Sequence, residues 1–160
     1  MFVAAARPFA VIAHSVDDPL YYLHNFRQVL AWVAGRYADL LDDHEQAFIS
    51  AFEQLQQPAQ ALLVRMVMRK GELFRSDKLD YVEIGDSHCA LQPLTALGWV
   101  SMQTTLSLEQ LFSVLRKEEL VQCFAAQLSR PRAAKPDLLA QLQALSLPPR
   151  PFVQWFADSP

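Results

Sequence analysis

Apolar positions in this chain recur at helical spacing through most of its length, interrupted by short polar or proline-marked intervals. The stretch "DDPLYYLHNFRQVLAWVAGRYADLL" opens with Asp17 and Asp18 as a capping signal and Pro19 in a first-turn position. It then sets Tyr22, Phe26, Val29, Leu30 and Val33 on one stripe, which predicts an amphipathic helix of about five turns. "DDHEQAFISAFEQL" predicts a second helix, with Asp42 or Asp43 as N-cap and Phe48, Ile49, Phe52 and Leu55 along one side. The two together are expected to form a packing layer. After Pro58, "PAQALLVRMVMRK" is apolar around most of its circumference, so a third helix should run through the core and end at Gly71 as C-cap.

Beyond Gly71 the helical period lapses, and "ELFRSDKLDYVEI" reads as an extended stretch or turn. The period returns in "SHCALQPLTALG" through Ala90, Leu91, Leu94 and Leu97, against the cost of about 3 kcal/mol for an interior proline at Pro93. "WVSMQ" after Gly98 reads as a short strand. Helix, extended segment, helix, strand is the order of a winged-helix unit. A short helix should start at Ser107, and "RKEELVQCFAAQL" continues with Leu120, Phe124 and Leu128 at spacing four. The basic loop "SRPRAAKP" then leads to "DLLAQLQAL", with Leu138, Leu139 and Leu142 on one side, which completes a helical hairpin. In the tail "PPRPFVQWFADSP", Phe152, Trp155 and Phe156 look exposed, as if they pack onto something outside the chain. The expected fold class is mainly α, with one short two-stranded ribbon.

Composition supports that picture. Four glycines, ten prolines mainly near segment ends or in the C-terminal tail, and 52% hydrophobic residues suit a helical chain of 160 residues that can bury a core. Cys89 and Cys123 are well apart and read as small buried hydrophobes in a reducing compartment rather than a disulfide. Arg7 and Pro8 interrupt the apolar start, which therefore does not read as a signal peptide, and no stretch reaches the ~18 uninterrupted apolar residues of a membrane helix. A soluble, intracellular protein is expected. His14, His24, His44 and His88 lack metal-ligand spacing, and neither a Gly-rich phosphate loop nor a G-x-S-x-G elbow is present.

The formal charge of −3 is unevenly spread. Residues 1–57 hold three basic and seven acidic residues, residues 58–86 five of each, and residues 116–160 six basic and four acidic. Arg65, Arg69, Lys70, Arg75 and Lys78 fall within fourteen positions. They read either as phosphate contacts or as helix-end stabilisers and ion-pair partners of Glu72, Asp77 or Asp80; the balanced local charge favours the second reading. Lys117, Arg130, Arg132 and Lys135 flank or line the hairpin loop, with Glu118 and Glu119 opposing them and a helix N-terminus nearby to receive a phosphate. Tyr21, Tyr22, Phe26, Trp32 and Phe48 lie at core spacing and read as core aromatics except Tyr21, which stays open, whereas Tyr81, between Lys78 and Glu83, is a candidate neighbour of a nucleic acid.

The runs "YYLHNFRQVL", "VRMVMRKGELFRSDKLDYVEIGD" and "LRKEELVQCFAAQLSRPRAAKPDLLAQL" resemble the N-terminal part of the Fanconi-associated nucleases, the VRR-type DNA-repair nucleases. The likeness covers roughly residues 19 to 145. It rests most on Val64, Arg65, Arg69 and Lys70 followed by Lys78, Leu79, Tyr81, Glu83 and Ile84. It implies an N-terminal leader (1–18), a helical layer (19–57), a winged-helix-like DNA-binding element (58–104), a SAP-like helical hairpin (105–147) and a Pro/aromatic tail (148–160) leading to further domains. In place of the glycine usual before the second SAP helix stand Ala133 and Ala134. The family's nuclease domain requires a lysine two positions after an acidic metal ligand, and no Asp or Glu here is followed by Lys at that spacing.

The resemblance therefore implies a non-catalytic part of a structure-selective nuclease of the phosphodiesterase I type, acting on 5′ flaps and in crosslink repair. Its partners would be flap or branched duplex DNA and the helical-repeat and nuclease domains of the same parent protein. Mg or Mn would serve the nuclease domain and no cofactor this part. DNA contact is implied for some of Arg65, Arg69, Lys70, Arg75, Lys78 and Tyr81, and for Lys117, Arg130, Arg132 and Lys135. A winged-helix transcription regulator, or a helical adaptor that binds protein through "PFVQWF", are the alternatives.

Overall fold

The computed structural model of the chain describes residues 17–156. His14, most of the expected leader and residues 157–160 lie outside the described residues. The chain divides into two compact units. The first comprises the described residues up to Gly71 together with 76–97; the second takes up 72–75 and the chain from Gly98.

In the first unit, α1 (Tyr21–Arg36), α2 (Asp43–Gln54), α3 (Gln57–Val67) and α4 (Ser87–Ala96) surround a core centred on Leu23, Phe52, Leu62, Val64 and Leu94. Local sequence sets their ends. Asp42 accepts from the Glu45 amide at 2.8 Å while Glu45 accepts from the Asp42 amide at 3.0 Å, a reciprocal cap for α2. Asp86 caps α4 by accepting from the His88 and Cys89 amides. At α1 the cap is displaced: Leu20 is the N-cap residue, and Asp18 holds it by accepting from the Leu20 amide while pairing with His24 at 2.8 Å.

Gln60 is a buried polar side chain in this core. Its Nε2 donates to the Phe52 carbonyl at 2.5 Å and its Oε1 accepts from Arg27 Nε at 2.8 Å, so one amide ties α3 to α1 and α2 with both ends satisfied. The expected aromatic core is present in Tyr22 and in the Phe26–Phe52–Phe48 stack, but Trp32 is 38% exposed and packs edge-on against Tyr37. Val29 is more than half exposed, so the α1 stripe is only partly covered.

Three expectations are corrected here. The core passage of α3 ends at Val64, because Val67 and Met68 emerge into solvent. Met68 is the C-cap, and Gly71, at φ +91°, turns the chain three residues later. Cys89 is exposed, its thiol donating to Asp86; only Cys123 is buried.

The second unit contains β1 (Thr105–Leu106), α5 (Leu108–Val114), α6 (Lys117–Cys123), α7 (Lys135–Gln143), β2 (Arg150–Pro151) and the single turn α8 (Phe152–Trp155). The fold is mainly helical with one two-stranded ribbon, but the ribbon is not where the sequence placed it. "WVSMQ" is irregular, and β1 pairs antiparallel with β2, Leu106 opposite Arg150. A two-residue strand shows no alternation, and its partner lies far along the chain, so no local pattern announces it.

The tail is also corrected. Trp155 is 1% exposed and packs with Leu111, Phe112, Leu120, Phe124, Leu138 and Leu142, its ring 5.8 Å from Phe124. Its indole N–H donates to the Arg150 carbonyl at 3.1 Å, its backbone carbonyl accepts from the Cys123 thiol at 2.8 Å, and the Arg150 guanidinium lies 4.2 Å over its ring. The aromatic tail therefore closes the core of its own unit.

Candidate nucleic-acid interface

Ten residues were singled out from the sequence, and the fold sorts them by what already occupies their charge. Arg65 projects from the last turns of α3, where its Nη2 and Nε donate to Glu83 Oε1 at 2.5 and 3.1 Å. Its guanidinium stacks 4.1 Å over the Tyr22 ring and 5.1 Å over the Tyr81 ring, and the Tyr22 hydroxyl donates to the same Glu83 oxygen at 3.2 Å. Burial alone would raise the Glu83 carboxyl, but the bonds from Arg65 and Tyr22 and the adjacent guanidinium hold it below its ordinary value. Arg65 is thus bound into the first unit.

Arg75 is spent similarly in the second unit. Its Nη1 reaches both oxygens of Glu119, at 2.8 and 2.6 Å, while the Arg116 amide donates to Glu119 at 2.6 Å. One carboxylate therefore caps α6 and anchors the 72–75 segment, and the Arg75 bonds, followed by that amide, lower its pKa. The near neighbours Glu72 and Asp80, expected as partners, are not those chosen by Arg65 and Arg75. Lys78 pairs with Asp77 at 3.6 Å with both side chains about half exposed, a weak surface contact.

Arg69 and Lys70 follow α3 in an exposed turn. The Arg69 guanidinium sits 5.6 Å over the Tyr81 ring, so Tyr81 carries Arg65 and Arg69 together, and among the described residues neither Arg69 nor Lys70 makes an ion pair. Within the first unit the structure brings Arg65, Arg69 and Tyr81 together.

The hairpin loop differs in its use of charge. Lys117 Nζ donates to the Arg132 carbonyl at 3.2 Å and Lys135 Nζ to the Leu115 carbonyl at 2.8 Å, so two ammonium groups staple the loop to α6 and to the α5–α6 turn. Ser129 and the Arg130 amide both bond Gln141 Oε1, which fixes the other end of the loop on α7. Arg130 and Arg132 are left exposed on this braced loop, and among the described residues their side chains make no ion pair. Arg116 was not a sequence candidate, yet it is exposed beside Lys117. Its only signal was the adjacent Lys117. Ala133 and Ala134 make the turn without the usual glycine; the described loop residues 129–134 all keep negative φ.

Among the described residues no group of three or more His, Cys, Asp or Glu comes together to hold a metal ion, and no helix is long and apolar enough to cross a membrane. The acids that might ligate are instead engaged in caps and ion pairs, as at Asp42, Glu83, Asp86 and Glu119.

Comparison with known proteins gives two family matches: the FAN1 HTH domain over residues 20–101 and the Fanconi anemia-associated nuclease SAP domain over residues 105–155. The Fanconi-associated nuclease 1 homolog of Pseudomonas aeruginosa is 56% identical over 94% of this chain, which spans only 27% of that relative's length. The human Fanconi-associated nuclease 1 is 36% identical over 59% of the chain, and the Arabidopsis thaliana homolog 34% over 57%. Among solved structures, a crystal structure of paFAN1 bound to 2-nucleotide 5′-flap DNA with a gap superposes with a TM-score of 0.85 at 56% identity, covering 92% of this chain and 27% of that one. The chain belongs to the Fanconi-associated nuclease family, of which it carries the HTH and SAP domains.

Proposed function

We propose that this chain is the DNA-gripping N-terminal region of a structure-selective repair nuclease, and that it holds duplex DNA beside a flap through phosphate contacts. The observation that carries the reading is the hairpin loop, where Arg130 and Arg132 stand exposed on a backbone fixed by Lys117 and Lys135. A braced guanidinium loses less entropy on meeting a phosphate than one on a loose loop, and its planar donors fit phosphate oxygens. Arg69, Lys70 and Lys78 would add contacts from the first unit. Arg65 and Arg75, already charge-paired, would act mainly by shaping what surrounds them. Because such contacts do not read base sequence, selectivity would come from DNA shape.

The reading draws support from the paFAN1 structures solved with 5′-flap DNA. Hydrolysis would belong to the parts of the longer relatives that this chain does not span, where Mg or Mn would assist. Among the described residues no cluster of His, Cys, Asp or Glu gathers for that ion. A cytoplasmic, nucleoid-associated location accompanies the proposal. The adaptor alternative loses its footing, since Trp155 of "PFVQWF" is buried in its own unit.

The test is fluorescence anisotropy of labelled 5′-flap, duplex and single-stranded DNA at several salt concentrations, with Arg130→Ala/Arg132→Ala, Arg69→Ala/Lys70→Ala and the wild type. Binding should weaken with salt, and each phosphate contact removed should flatten the log–log slope by ~0.9. An unchanged slope in both double variants would sink the assignment of these residues, and no binding at low salt would sink the DNA reading itself.

A further inference from the structure

Turn positions favour Gly, Asn, Asp, Ser or Pro, yet the tight turn between α3 and α4 presents Val82, which is 100% exposed. This turn is closed by the Ile84 and Gly85 amides, both donating to the Tyr81 carbonyl at 3.0 Å, and by the Tyr81–Gly85 bridge. Every neighbour of Val82 is tied down. Leu79 and Ile84 are buried, Gly85 takes φ +74°, and Ser87 Oγ donates to the Leu79 carbonyl. Glu83, the next residue, is gripped by Arg65 and Tyr22, and Tyr81, the residue before, lies under the guanidinium groups of Arg65 and Arg69. The fold thus invests a half-buried ion pair and two cation–π contacts in fixing a turn whose tip, Val82, is fully exposed.

A lone exposed valine is ordinary; one at the tip of a hydrogen-bonded turn, next in the chain to the tyrosine that carries an exposed arginine, is a candidate contact surface. The acids at the turn do not make it an ionic one. Glu83 and Asp86 are occupied, and the one negative charge of exposed Asp80 is matched by the one positive charge of exposed Arg69. A branched hydrocarbon reads no hydrogen-bond pattern and gains only by covering apolar surface. On DNA the large apolar surfaces are the faces of bases. Within continuous duplex stacking hides them, and at a gap, nick or flap one face is open.

The geometry points to Val82 as an apolar abutment for the open face of the base pair at a DNA discontinuity, held in position by the Arg65–Glu83–Tyr22 brace. This rests on the DNA-gripping reading and adds to it a specific element that senses structure. Arg65 and Glu83 are positioning residues here, and the phosphates are left to the exposed cations.

The experiment compares this chain with Val82→Ser and Val82→Leu, measuring affinity by anisotropy for a one-nucleotide-gapped duplex and a continuous duplex of equal length. A 2-aminopurine placed in the base pair bordering the gap reports the contact directly. The wild type should prefer gapped DNA. Val82→Ser should reduce that preference by about three- to tenfold, the range for losing partial burial of one valine, with the salt slope and melting temperature unchanged. Val82→Leu should retain it. A preference untouched by Val82→Ser overturns the inference, as does parallel weakening on both DNAs, which would place the valine in a groove. If the wild type binds DNA with the expected salt dependence but without preferring the gap, this inference fails and the gripping reading stands; if it binds neither DNA, both fail.

Discussion

Glu83 receives three hydrogen bonds at one oxygen, two from Arg65 and one from Tyr22, with its side chain only 13% exposed. Removing one charge from such a pair strands the other, so Glu83→Gln should destabilise the chain by about 1–3 kcal/mol at neutral pH. The pH dependence has a definite sign. Because the folded-state pKa of Glu83 lies below its ordinary value of 4.5, its contribution is fully present above that value and is lost as pH falls through the folded-state pKa. Glu119 is lowered as well and weakens the wild type in the same acid window. The informative quantity is therefore the difference between wild type and Glu83→Gln in urea melts from pH 7 to pH 3, which should shrink toward the acid end. A difference that stays constant would mean that Glu83 is not ionised in the folded protein. None of this was legible in the sequence, which assigned Arg65 to phosphate or to closer acids; the partner eighteen residues away is found only when the turn folds back onto α3.

Among the elements, those that obey local rules were legible. Asp42 with Glu45, and Ser107 with Gln110, start α2 and α5 as capping boxes readable from spacing alone. The ribbon and α8 were not legible, because two-residue strands and a four-residue turn carry no period and depend on each other across the chain. The tail shows what that costs a sequence reading: Phe152, Trp155 and Phe156 looked like a surface awaiting a partner, while β2 in fact directs Trp155 inward. The two faces of α8 give the prediction at this scale. Trp155→Ala should cost about 3–5 kcal/mol, as for other large-to-small core changes, whereas Val153→Ala, at a position 74% exposed, should stay within ~0.5 kcal/mol. Chemical denaturation of the two variants decides it, and comparable small losses would mean that Trp155 does not hold the second core together.

At the scale of the whole molecule, each of the two units has an apolar core of modest size among the described residues, one around Leu62 and one around Trp155. Small cores leave little margin, since a domain's net stability is about 5–15 kcal/mol and a single leucine-to-alanine change in a core removes about 2–5. Stability is also felt locally: amides exchange through the smallest opening that exposes them, and a substitution raises the exchange of those amides whose opening it eases. Leu62→Ala should therefore speed exchange across α1–α4 while sparing α5–α7, and Trp155→Ala should do the reverse, with residues 72–75 following the second pattern because Leu73 packs on the second core and Arg75 pairs with Glu119. Hydrogen–deuterium exchange read peptide by peptide separates these outcomes. Uniform acceleration along the chain in either variant would show one cooperative unit, and the braced loop and braced turn would then share a single fate on opening. Localised acceleration would mean instead that the turn bearing Val82 and the loop bearing Arg130 and Arg132 can each be weakened without loosening the other, as separate tests of gap sensing and phosphate grip require.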